Sequence, residues 1–187
     1  LRANPEVENS PLSDTREQTR DTAAAVNGQM HVDSPAEMQE LVTLLETLAT
    51  QTDALANLEV QVVPQGLRIL IKDDQQRFMF QRGSATLTAH FQRVLSGLAG
   101  VLAKVDNKLI ISGHTDATPY KYPAGYNNWN LSGDRALSAR NALVEAGMGA
   151  DSVLQVTAHA ERMPLRPDAP EDGANRRVEV LLLTEQA

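Results

Sequence analysis

The chain has 187 residues, 42% hydrophobic and 22% charged, a size and balance that suit one folded core with an appendage. Its net charge of −7 and lack of a basic run argue against nucleic acid, whose phosphates call for a basic face. Cysteine is absent, which excludes disulfides, thiolate metal ligands and thiol catalysis. No apolar run approaches the roughly 20 residues that a bilayer span needs, and no signal-peptide pattern is present. Leu1 rather than a methionine opens the chain, so the expectation is a fragment whose membrane anchor, if any, lies upstream.

Residues 1–33 are polar, with no surviving period, and read as a flexible arm or linker. Residues 34–58 read as a linker helix. Ser34 suits the N-cap, Pro35 the first position and Glu37 the capping box, and Met38, Leu41, Val42, Leu45, Leu48, Ala49 and Leu55 form one stripe from Pro35 to about Asn57. That stripe is expected to pack on the domain core, with a subunit contact as the alternative.

Residues 59–187 read as the main domain. Val60, Val62 and Val63, then Pro64-Gln65-Gly66, then Leu67, Ile69 and Ile71 predict two strands about a tight turn. Lys72 to Arg77 is a polar loop. Ser84 is expected to cap a helix from Ala85 to about Lys104. A strand follows at Lys108 to Gly113, then a helix from Gly133 to Ala146 with Leu137, Ala139, Leu143 and Val144 inward, stopped by Gly147. A strand at Val153 to Ala158, a loop from Arg162 to Asn175 and a strand at Arg176 to Thr184 complete the chain. The alternation predicts an α/β two-layer sandwich, a mixed sheet with helices on one face.

The chemistry gathers where the third strand ends, at Ser112-Gly113-His114-Thr115-Asp116. The loop that follows, Ala117 to Asn130, holds four of the seven aromatic residues: Tyr120, Tyr122, Tyr126 and Trp129. They suit either a sugar-stacking surface or a small satellite core. The first turn of the next helix is expected to carry Arg135 back toward Asp116. The pair would hold a zwitterion, arginine taking the carboxylate and aspartate the ammonium, or simply bridge the loop. One of Arg176 and Arg177 would join them, or both form a solvated edge. Catalysis has little support: there is no G-x-S-x-G elbow and no phosphate-binding glycine pattern. A metal site drawn from His114, Asp116 and His159 lacks defined ligand spacing.

Phe80-x-x-Gly83-Ser84-Ala85, Gly113-His114-Thr115-Asp116, Asn128-x-x-Leu131-Ser132-x-x-Arg135-Ala136 and Asn175-Arg176-Arg177-Val178-Glu179 occur in the order seen in OmpA-like peptidoglycan-binding domains. The resemblance covers roughly residues 65–185, and the tyrosine-rich insertion is similar to that of the flagellar stator B subunit, the MotB type. It implies an OmpA-like fold and non-catalytic binding of the peptide stem of peptidoglycan through diaminopimelate, with no cofactor. Asp116 and Arg135 occupy the positions that grip this zwitterion, and Thr115, Asn128, Leu131 and Arg176 those that line the same pocket. The chain departs from the family pattern at Ala158-His159-Ala160, where glycines are usual.

The resemblance further implies a periplasmic homodimer behind an inner-membrane helix, joined through that helix to a stator A subunit. The flagellar P-ring and other periplasmic proteins are further partners of that setting, which serves motility and chemotaxis. A porin-tail or lipoprotein wall anchor without a motor role is the alternative, and a metal-dependent wall hydrolase is the alternative of another class.

Overall fold

The computed structural model describes residues 29–119 and 125–184. The chain divides into a first unit, Leu1–Met30, and a second, His31–Ala187, to which every element below belongs. In chain order these are α1 (Pro35–Gln51), β1 (Leu58–Val63), β2 (Gly66–Lys72), α2 (Ala89–Leu102), β3 (Leu109–His114), α3 (Asn128–Glu145), β4 (Val153–Ala158) and β5 (Arg177–Leu183).

The five strands form one mixed sheet in the order β1-β2-β5-β3-β4. Only β3 and β4 run parallel; β5 is antiparallel to both of its neighbours. Leu67, Ile69, Ile71, Leu109, Ile111, Val178, Val180 and Leu182 alternate along their strands and share one core with residues of all three helices. The helices therefore cover one face. The intervening residues Arg68, Ser112, Arg177 and Glu179 put polar groups on the other, as the period of two requires.

Local chemistry explains the element ends. Ser34 Oγ accepts from the Glu37 N–H at 3.2 Å and Glu37 Oε1 accepts from the Ser34 N–H at 3.0 Å, the expected capping box. The helix stops at Gln51, earlier than its stripe suggested. Asp53 takes a left-handed φ of 53°, and the Ala54 N–H closes back on the Ala49 carbonyl at 2.8 Å, a Schellman-type stop. Leu55 lies beyond that stop and is exposed, whereas Leu41, Leu45, Leu48 and Ala49 enter the shared core. On the opposite side, Asn107 clamps the approach to α1. Its side chain accepts from the Val32 N–H and donates to the carbonyls of Val32 and Leu183.

Two helix starts differ from expectation. Ser84 caps no helix: it lies in a turn closed by the Gln81 N–H on the Thr86 carbonyl, at Gly83 with φ 65°. Thr88 is the N-cap, its hydroxyl accepting from the Phe91 N–H, so α2 begins four residues later than expected. α3 begins earlier, because Asn127 and Asn130 cap each other reciprocally. Leu137, expected inward, is half-exposed. The successive side chains of a helix are 100° apart, and Ala136, Ala139 and Leu143 carry the buried stripe instead.

β4 carries a bulge. Leu109 pairs with Val153 and Ile110 with Gln155, so Leu154 has no opposite residue and points to solvent. The extra residue keeps Thr157 beside Ser112, hydroxyl to hydroxyl at 2.7 Å.

Gly113 lets β3 and α3 touch. A Cβ there would stand 1.9 Å from the Ser132 carbonyl oxygen and 3.3 Å from Ala136 Cβ. Any side chain must push the strand and helix apart just where the strand delivers its polar residues. Gly113→Ala is expected to cost about 2–3 kcal/mol of stability, the range for overpacking a core contact. Urea unfolding would read this as a lower midpoint at unchanged slope; an unchanged midpoint would show that the contact is soft.

Candidate functional site

The strand order assembles the site. Because β5 is antiparallel to both β2 and β3, its N-terminal end lies between their C-terminal ends. Asp73 follows β2, Arg176 precedes β5, and Thr115 and Asp116 follow β3. Three chain segments far apart in sequence thus end side by side.

Arg176 lies between two carboxylates. Its Nε donates to Asp73 Oδ2 at 2.8 Å and its Nη1 to Asp116 Oδ2 at 2.5 Å. The remaining carboxylate oxygens are also used. Asp73 Oδ1 accepts from the Met79 N–H at 2.8 Å, and Asp116 Oδ1 from the Thr118 N–H at 2.9 Å. Burial pushes the Asp73 carboxyl up, against the lowering effect of Arg176 and of the Met79 amide. Burial also pulls on the Arg176 guanidinium, but its two carboxylate partners outweigh this and raise it. The Phe78 ring lies under the guanidinium at 5.8 Å and is half-exposed at the mouth of the site.

Arg135, in α3, is buried against the same cluster. Its Nε donates to the Ser84 carbonyl at 2.9 Å and its guanidinium lies 5.0 Å over the Phe80 ring. Burial lowers its pKa, with Asp73 and Asp116 acting in the opposite sense. It therefore stands near Asp116 without pairing with it, since Arg176 is the direct partner. Among the described residues none accepts from the two terminal nitrogens of Arg135, which leaves a fork of donors for an incoming carboxylate.

The other predicted site residues gather around this centre. Asn128, at the start of α3, donates to the Thr118 carbonyl at 3.2 Å and approaches Glu161 at 3.4 Å. Leu131 is buried one turn further on. The Thr115 hydroxyl is buried with no hydrogen-bond partner among the described residues, while its N–H holds the Ala160 carbonyl at 2.8 Å. Ala160 adopts φ 52°, a conformation that glycine takes freely, so the loop keeps that backbone geometry with a methyl group in place. Tyr120 and Tyr122 lie outside the described residues. Tyr126 donates to Asp134 at 2.6 Å, and Trp129 is half-exposed on α3.

Arg177 turns to the opposite face of the sheet, where it binds Glu179 and the carbonyls of Met163 and Asn175. There His114 stacks on His159 at 4.7 Å between ring centroids, while Asp116 is committed to Arg176. The metal set drawn from His114, Asp116 and His159 is thus divided between two faces. Among the described residues no group of three or more His, Asp or Glu is placed to hold a metal ion.

Asp73 was missed by sequence reasoning. It sits in a run of polar residues, Lys72 to Arg77, that reads as an ordinary solvated loop. The only hint was its place one residue past an alternating strand. Its partner, Arg176, lies 103 positions away, so local pattern cannot pair them.

The model of the OmpA family matches residues 79–177. The chain belongs to the OmpA family. Over 154 residues it is 54% identical to LafU of Escherichia coli K12, named as a candidate truncated flagellar export/assembly protein; the match covers 82% of this chain and 72% of that protein. It is 41% identical over 132 residues to motility protein B of the same organism, covering 70% of this chain but only 43% of the relative. The periplasmic domain of Helicobacter pylori MotB has the same fold, with a TM-score of 0.60 at 17% identity over 68% of this chain and 88% of that one. The domain is OmpA-like and of the MotB type.

The opposite face yields a prediction. Neither ring nitrogen of His114 has a hydrogen-bond partner among the described residues, and Glu179 is 3.9 Å away. Burial, and then the charge of Arg177, lower its pKa to about 3. A depressed histidine pKa means that the unfolded chain takes up this proton first, near pH 6.5, so stability falls as pH drops from there toward 3. The slope from this group is about 1.4 kcal/mol per pH unit. Denaturant unfolding from pH 7 to 4 should show His114→Gln losing less stability on acidification than the parent; parallel curves would remove His114 as a source of the pH dependence.

Proposed function

We propose that this domain binds peptidoglycan without chemical turnover, through the diaminopimelate of the peptide stem, and so anchors a flagellar stator to the cell wall. The observation that carries this reading is the pairing of a committed acid–base cluster with an open donor fork. Asp116 is held rigid by Arg176 and the Thr118 amide, and Arg135 has terminal nitrogens to give. A zwitterionic centre fits such a pair, its carboxylate on Arg135 and its ammonium on Asp116. Thr115, Asn128, Leu131 and Arg176 line the same place. Asp73, Asp116 and Arg176 hold one another by hydrogen bonds and ion pairs, an arrangement suited to recognition.

The motor assignment draws support from the relatives, whose names concern flagella and motility. In this reading the chain is the periplasmic part of a single-pass inner-membrane protein. It acts as a homodimer and joins a stator A subunit through an upstream helix. No helix among the described residues is long and apolar enough to cross a membrane.

Co-sedimentation with purified sacculi tests the binding. The parent chain is expected to pellet, and Asp116→Asn and Arg135→Ala to remain in solution with affinity lowered about tenfold or more, as for loss of a charge-assisted contact. If the parent stays in solution, the same assay on a chain lacking residues 1–30 separates masking by that segment from absence of a site; silence there would end the proposal. Falling turbidity of the sacculi would instead point to hydrolysis.

A further inference from the structure

We propose that Asp73 is a positioning residue of this site, holding Arg176 so that the Asp73–Arg176–Asp116 triad keeps a net negative charge for the ammonium group of a zwitterionic ligand. The inference rests on the peptidoglycan reading above and extends it to a residue that precedes the segment matched by the family model, residues 79–177.

The geometry carries it. Asp73 is buried, so it does not reach a ligand itself. Both of its oxygens accept, one from the Met79 N–H and one from Arg176 Nε, as suits an ionised carboxylate with no proton to place. Its own N–H donates to the Arg176 carbonyl at 3.2 Å, so backbone and side chain fix the arginine together. With Nε engaged there, the guanidinium fork presents Nη1 to Asp116.

Charge does the rest. One guanidinium between two carboxylates leaves the triad with a single negative charge. Were Asp73 absent, Arg176 would pair with Asp116 alone, and that carboxylate would be neutralised before a ligand arrived. Arg135 stands beside the triad with its positive charge, so the whole site balances. It thus matches a ligand centre carrying one ammonium and one carboxylate.

The experiment compares binding of meso-diaminopimelate and its N,N′-diacetyl derivative, which lacks both ammonium groups, to the full chain and to Asp73→Asn. The parent is expected to prefer the free amine. In Asp73→Asn that preference should collapse, with affinity for the amine down about tenfold or more. Unfolding stability should fall as well, because one partner of a buried ion pair is weakened, so the amine preference is the readout that decides. A purely structural role would lower stability and both affinities together, leaving the preference intact. That result, or parent-like discrimination in Asp73→Asn, overturns the proposal. If Asp73→Asn does not fold, the same ratio is measured on Asp73→Ser: a collapsed preference supports the proposal and a retained one overturns it. Absence of binding by the parent to both diaminopimelate and sacculi would overturn the peptidoglycan reading itself and this inference with it; binding by the parent with unchanged discrimination in the variant removes only Asp73.

Discussion

Arg176 bridges two carboxylates that follow different strands, Asp73 after β2 and Asp116 after β3, and much of the site depends on its staying there. A buried ion pair gains Coulomb energy but loses hydration, so it persists only when every remaining donor and acceptor is used. Here the Met79 and Thr118 amides complete the two carboxylates and the Phe78 ring covers the guanidinium. The cluster is therefore preorganised: a ligand would find charges already fixed in place, with little side-chain entropy left to lose. The same cluster ties the ends of β2, β5 and β3 together, so the candidate site and the sheet share their residues.

The scaffold around the cluster is stiff for reasons that are mostly local. Gly113 brings β3 within backbone contact of α3, which sets where Arg135 emerges relative to Asp116. The Ser132 hydroxyl donates to the Trp129 carbonyl and accepts from the Ala160 N–H, joining α3 to the segment after β4. Fully buried Asn175 pins the long loop that precedes β5: its side chain accepts from the Arg166 N–H and donates to the Ala169 carbonyl. These contacts hold Arg176 at the mouth of the sheet and send Arg177 to the far face. Two adjacent arginines thus serve separate networks.

α1 is tied to the domain by its buried stripe. It packs Leu41, Leu45 and Leu48 into the core shared with the sheet. Exposing three buried leucines costs roughly 5–9 kcal/mol, comparable with the whole stability of many domains. A conformational change that lifted α1 away would need another surface to receive that stripe.

The sequence by itself determined the elements and their faces. Alternating Leu67, Ile69 and Ile71, the Ser34–Glu37 box and the stripe of α2 each state a local preference that the core then satisfies. The ordered motifs also named Asp116, Arg135 and Arg176 as neighbours. Ends were less legible, because Asp53 in a left-handed turn, the reciprocal Asn127–Asn130 cap and the turn at Gly83 use residues whose role depends on backbone geometry. Tertiary structure alone decided the pairing. Which acid meets which arginine follows from β5 lying antiparallel between β2 and β3, a long-range arrangement that no local pattern encodes. It gave Arg176 to Asp116, left the terminal nitrogens of Arg135 without an acceptor among the described residues, and brought Asp73 from an ordinary polar loop into the centre of the candidate site.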